Sequence, residues 1–91
     1  MDLFRGKGMT EEAKQMIEYI LRRIRKPTLV IDENTPLVSS GLVDSMALGE
    51  VMLTLEDLTN TRIPPGKVQP KDLDTVAKMF LTAQRVGKPR K

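Results

Sequence analysis

Apolar residues recur along this chain in three helical stripes, separated by two stretches that lack periodicity. The first stripe is Ala13, Met16, Ile17, Ile20, Leu21 and Ile24. Its spacing keeps every member on one face of a helix with 3.6 residues per turn. Thr10 stands before it as a cap, and Glu11 and Glu12 fall where the positive end of the helix dipole favours acids. Arg22, Arg23, Arg25 and Lys26 carry the sign preferred at the other end, and Pro27 is expected to stop the helix.

The second stripe is Leu48, Val51, Met52, Leu55 and Leu58, on a helix predicted from Asp44 or Ser45 to about Asn60. Either Asp44 or Ser45 can serve as its cap. Ile63-Pro64-Pro65-Gly66 then turns the chain, and Lys67 to Leu73 has room for about one helical turn. The last helix is predicted to begin at Asp74 or Thr75 and to bury Val76, Met79, Phe80 and Ala83. Between the first two helices, residues 27–44 form a long connection in which Leu37 and Leu42 are expected to pack beneath the loop. The predicted fold is all-α: a small bundle of three main helices, a short helix before the last, and a long loop between helices one and two. Residues 1–9 are expected to be a flexible extension, 10–86 the domain, and 87–91 a basic disordered tail.

Composition narrows the chemistry. Ninety-one residues suit one domain with a modest core. Tyr19, Phe4 and Phe80 are the only aromatic residues, so aliphatic side chains must build that core, which suits helix packing. The chain has no Cys and no His. That excludes disulfides, thiolate nucleophiles, Ser–His relays and zinc sites built on thiolate or imidazole. An enzyme is therefore not expected. No apolar run reaches the roughly 20 residues of a membrane span, and Met1 to Gly8 lack the apolar centre of a secretory signal. A soluble cytoplasmic protein, monomeric, is the expectation.

The formal charge of +3 is unevenly spread. Residues 27–61 contain no Lys or Arg, while Asp32, Glu33, Asp44, Glu50, Glu56 and Asp57 give that stretch −6 and leave +9 for the rest. The chain is basic at both ends and acidic in the middle. Glu50, Glu56 and Asp57 are expected on the exposed side of helix two.

The segment Leu37-Val38-Ser39-Ser40-Gly41-Leu42-Val43-Asp44-Ser45-Met46 runs directly into helix two. It resembles the attachment site of acyl and peptidyl carrier proteins, in which an Asp-Ser pair followed by an apolar residue opens the second helix. Leu55-Glu56-Asp57-Leu58, Arg62-Ile63-Pro64-Pro65 and Asp72-Leu73-Asp74-Thr75-Val76 follow in the order that family places comparable segments, so the resemblance spans residues 10–86.

The resemblance implies that Ser45 receives a 4'-phosphopantetheine arm from coenzyme A, attached by a phosphopantetheinyl transferase. The arm's thiol would hold acyl or aminoacyl cargo as a thioester. Asp44 would orient the transferase or cap the helix, and Met46 would be a soft apolar contact for partner enzymes. Glu50, Glu56 and Asp57 would meet basic patches on those partners: an activating ligase, then a transferase or synthase. Unlike many fatty-acid carriers the chain is not acidic overall, and its Gly41–Met46 segment looks closer to stand-alone aminoacyl or D-alanyl carriers. The alternative is a small basic helical nucleic-acid-binding domain that uses Arg22, Arg23, Arg25, Lys26 and the Lys88–Lys91 tail on phosphates. An acidic helix two argues against it, and no nucleic-acid partner is expected.

Overall fold

The structure, a computed structural model, describes residues 10–90; the extension expected over 1–9 lies outside the described residues. Helix α1 (Glu11–Arg23) begins where the Thr10 hydroxyl accepts the Ala13 N–H at 3.1 Å. It ends before Pro27. Arg25 adopts a left-handed φ of 64°, its N–H donates to the Arg22 carbonyl, and the Lys26 N–H reaches back to the Leu21 carbonyl at 2.9 Å. That pair of bonds is a Schellman turn, so Arg25 rather than Pro27 sets the end of the helix. Ala13, Met16, Ile17 and Ile20 are buried as the stripe requires, with Leu21 and Ile24 at the margin of the core.

Helix α2 (Ser45–Thr59) closes on Asn60, which is left-handed at φ 55°. Its most buried line is Ala47, Val51 and Leu55, while Leu48, Met52 and Leu58 are half-buried. The helix is rotated slightly from the expected stripe because small Ala47 faces the core and Leu48 and Met52 border a groove. Helix α3 (Val76–Val86) is capped by Thr75, whose hydroxyl accepts the Lys78 N–H at 3.0 Å. Val76, Met79 and Ala83 are buried, but the fourth buried position is Thr82 and not Phe80. The Thr82 hydroxyl donates to the Asp72 carbonyl at 3.0 Å, so its burial leaves no unpaired polar group.

The expected short helix before α3 is instead two 3₁₀ turns, Pro65–Lys67 and Pro70–Leu73, each opened by a proline whose fixed φ suits a first position. The all-α expectation holds only coarsely. Strand β1 (Thr61–Arg62) pairs antiparallel with strand β2 (Lys88–Pro89), Thr61 opposite Pro89 and Arg62 opposite Lys88. The molecule is mainly helical with a small two-stranded ribbon, and over Lys88–Pro89 the expected disordered tail is ordered by pairing. Gly87 permits this approach: a Cβ there would run into the Ala83 carbonyl oxygen and lie 3.1 Å from the Thr61 side chain.

All three helices pack on one another around a single core that includes Leu37, Val43, Ile63 and Leu73. Within the long connection Leu37 is fully buried as expected, whereas Leu42 is only half-buried and Val43 takes the interior position. Among the described residues no helix is long and apolar enough to cross a membrane.

Candidate functional site

The start of α2 separates two roles that Asp44 and Ser45 could each have filled. Asp44 is the cap: its backbone is extended and its Oδ1 accepts the Ala47 N–H at 2.8 Å. Ser45 is then the first helical residue. It is exposed, and its hydroxyl has no hydrogen-bond partner among the described residues. The chain has three serines, and the other two are spent on the loop. Ser39 Oγ donates to Asp74 Oδ2 at 2.9 Å, and Ser40 Oγ donates to the Pro36 carbonyl at 2.7 Å. Among the described residues, only Ser45 offers an unengaged serine hydroxyl.

The backbone N–H groups of Ser45 and Met46 lie in the first turn of a 15-residue helix, whose cap carboxylate, Asp44, is taken up by the Ala47 N–H. Such N–H groups have no intrahelical partner, and with the helix dipole they make the surroundings of the hydroxyl receptive to negative charge. Beside Ser45 an open groove of about 230 Å³ runs between α2 and the 3₁₀ turns. Leu48, Gly49 and Met52 form one wall, Val68 and Pro70 the other, with the buried Leu73 between. This is below the roughly 300–1,000 Å³ of pockets that enclose a small molecule. It is too small and open to enclose a sizeable ligand. A Cβ on Gly49 would meet nothing within 4 Å, so the fold itself does not require this glycine.

The outward face of α2 carries Met46, Glu50, Leu53 and Asp57 at steps of four, three and four. Met46 is 80% exposed and Leu53 62%, two large apolar side chains two turns apart on the same face, with Glu50 between them. Met46 is exposed, as the sequence reading required of it; Leu53 went unassigned in the sequence. It lies seven residues from Met46 and off the buried stripe, which is the signal that marks it.

The three acids do not form a free row. Arg23 Nε donates to Glu50 Oε1 at 2.6 Å, and the Tyr19 hydroxyl lies 3.4 Å from the same oxygen. The hydrogen bond to Glu50, then its charge, holds the Arg23 guanidinium above its ordinary pKa. Arg90 Nη2 donates to Asp57 Oδ1 at 3.0 Å. Glu56 is half-buried and its Oε2 accepts the Ile63 N–H at 2.6 Å, so it holds the turn after α2 and does not face outward as expected. Arg23 and Arg90, from either side of the acidic middle, thus fold back onto it. Arg22, Arg25 and Lys26 remain exposed at the end of α1.

The loop leading to Ser45 is fixed from the far side by Asp74. Its Oδ1 accepts the N–H groups of Leu37, Val38 and Ser39 at 3.2, 2.8 and 2.8 Å. These bonds, that from the Ser39 N–H foremost, draw the carboxyl below the ordinary aspartate pKa against a smaller opposing effect of burial.

No protein-family model, curated protein or solved structure matches this chain. The functional reading therefore rests on residues and geometry.

Proposed function

We propose that this chain is a carrier protein, without catalytic activity of its own, that tethers acyl or aminoacyl groups through a 4'-phosphopantetheine arm on Ser45. The observation that carries the reading is the division of labour at the head of α2. Asp44 caps the helix, and Ser45 stands exposed with its hydroxyl unbonded by any described residue. A serine modified by another enzyme must be reachable and free of internal bonds, and it needs no local base, because the transferase supplies one. In that step the Ser45 oxygen attacks the phosphorus of coenzyme A next to the pantetheine. A P–O bond to the adenosine bisphosphate breaks, and the serine proton passes to the transferase's base.

The residues present fit such a group. The N–H groups of Ser45 and Met46 suit a phosphodiester, and the Leu48–Met52 groove can rest the first part of the arm. The arm, when attached, supplies a thiol that this Cys-free chain lacks. Met46 and Leu53 provide the apolar centre of a docking face for the transferase and later partners, and Glu50 and Asp57 provide its charged surround. The shallow groove favours a cargo presented to solvent.

The reading is tested by intact-protein mass spectrometry after incubation with coenzyme A and a broad-specificity phosphopantetheinyl transferase. A single phosphopantetheinyl addition is expected, absent in Ser45→Ala. Wild-type protein left unmodified by several active transferases would contradict the proposal.

A further inference from the structure

The stretch that delivers the chain to Ser45 has no helix or strand to hold it, yet it is tied at specific points. Asp74 Oδ1 accepts three consecutive N–H groups, those of Leu37, Val38 and Ser39, and Asp74 Oδ2 accepts the Ser39 hydroxyl at 2.9 Å. The Leu37 N–H also lies 2.7 Å from the Asp74 carbonyl oxygen. The tie is passed on. The Leu37 carbonyl accepts the Val43 N–H at 2.9 Å, closing residues 37–43 into a loop whose two ends, Leu37 and Val43, are both buried. Within it Gly41 takes a φ of +85°. Asp44 and Ser45 follow Val43 immediately.

Asp74 is free for this because Thr75 caps α3. The arrangement mirrors the head of α2. At each of these helix starts stand two adjacent cap-forming residues, Asp44-Ser45 and Asp74-Thr75, of which one caps: Asp44, before Ser45 opens α2, and Thr75, after Asp74.

We propose that Asp74 is a positioning residue for Ser45: through its bonds to Leu37, Val38 and Ser39 it holds the 37–43 loop in the one arrangement that presents the Ser45 hydroxyl to a modifying enzyme. This role rests on the carrier reading. Asp74 touches neither the hydroxyl nor any group placed on it, and acts only through the loop. Without it the loop samples other arrangements, and the transferase meets a competent substrate a smaller fraction of the time. Such a loss raises the KM for this protein in inverse proportion to that fraction and leaves kcat at saturation unchanged.

The test combines amide hydrogen exchange with steady-state loading of Asp74→Ala, Asp74→Asn and Ser39→Ala, well below each variant's melting temperature. Removing a charged hydrogen-bond acceptor should speed exchange of the Val38 and Ser39 amides about ten-fold or more in Asp74→Ala, while the Leu37 amide keeps its bond to the backbone carbonyl at position 74. The KM for loading should rise by about the same factor with kcat unchanged. Asp74→Asn keeps one carbonyl oxygen for the three N–H groups and should recover much of the loss. Ser39→Ala removes only the hydroxyl bond and should raise KM about two- to five-fold; it carries the test if Asp74→Ala does not fold. Leu58→Ala, at the opposite end of α2, loses stability without touching the loop and should load like wild type.

A wild-type KM in a variant whose loop amides have lost protection would overturn the positioning role alone. So would Val38 and Ser39 amides that stay protected in Asp74→Ala, or a KM raised equally by Leu58→Ala. Wild-type protein that no transferase loads would overturn the carrier reading and this role together.

Discussion

At the residue scale, Asp74 makes the most definite pH prediction. Its carboxylate accepts bonds from the Ser39 N–H, the Ser39 hydroxyl and the Val38 and Leu37 N–H groups, and its pKa is lowered accordingly. None of these facing groups titrates. A carboxyl with a lowered folded pKa adds stability that is present above its unfolded value of about 3.9 and lost as pH falls through the folded value. The loop should therefore stay tied throughout neutral and mildly acidic conditions and loosen only below about pH 4. Carbon-13 NMR of the Asp74 carboxyl should show a midpoint below the ordinary aspartate value, accompanied by shifts of the Leu37–Ser39 amides. A midpoint at or above the ordinary value would mean that the bonds do not hold in solution.

At the element scale, α2 presents Ser45, Met46 and Leu53 to solvent while its acids are answered from within the chain. Exposed ion pairs are worth only about 0–1 kcal/mol, so Arg23 and Arg90 can be displaced by a partner's cations. Glu50→Lys with Asp57→Lys should slow transferase loading about three- to ten-fold at low ionic strength, the effect fading toward 1 M salt. Arg23→Ala should act in the opposite direction by uncovering Glu50. Glu56 is left unchanged in this test, since its substitution would orphan the Ile63 N–H and confound recognition with folding. Loading that ignores both changes at low salt would remove the charge of α2 from partner recognition.

The elements also show what the sequence made legible. The stripe of α1 and the opening of α2 could be read because periodicity and caps are local signals, and both stand in the structure. Which of Asp44 and Ser45 caps α2 could not be read, since both types can do it; the geometry gives the cap to Asp44. The partners of Glu50, Glu56 and Asp57 lie 27, 7 and 33 residues away, and nothing in composition links those positions. Asp74 was legible only as a candidate cap. The surplus of two cap residues at one helix start was the available hint that one of them works elsewhere.

At the scale of the whole molecule, the ribbon ties the C-terminal end of the described chain back to the segment that follows α2. Two-residue strands carry no periodicity, which is why β1 and β2 escaped sequence reading and the basic tail was expected to be disordered. Gly87 is the point at which this closure can be broken. A side chain there collides with α3's last turn and crowds Thr61, so Gly87→Ala should cost about 1–3 kcal/mol in urea unfolding and separate Arg90 from Asp57. A change below about 0.5 kcal/mol, with the ribbon amides still protected, would mean that the tail is not held as described. The ribbon also brings Arg90 to Asp57, and α1 brings Arg23 to Glu50, so the strong sequence asymmetry is partly neutralised in the fold.

The central claim concerns one hydroxyl among three serines, and trypsin makes the discrimination direct. No Lys or Arg occurs between Pro27 and Thr61, so Ser39, Ser40 and Ser45 fall in a single peptide. Fragmentation of that peptide from transferase-treated protein should locate the phosphopantetheinyl group on Ser45, with Ser39 and Ser40 bare. An addition on Ser39 or Ser40, or none on any of the three, would contradict the account.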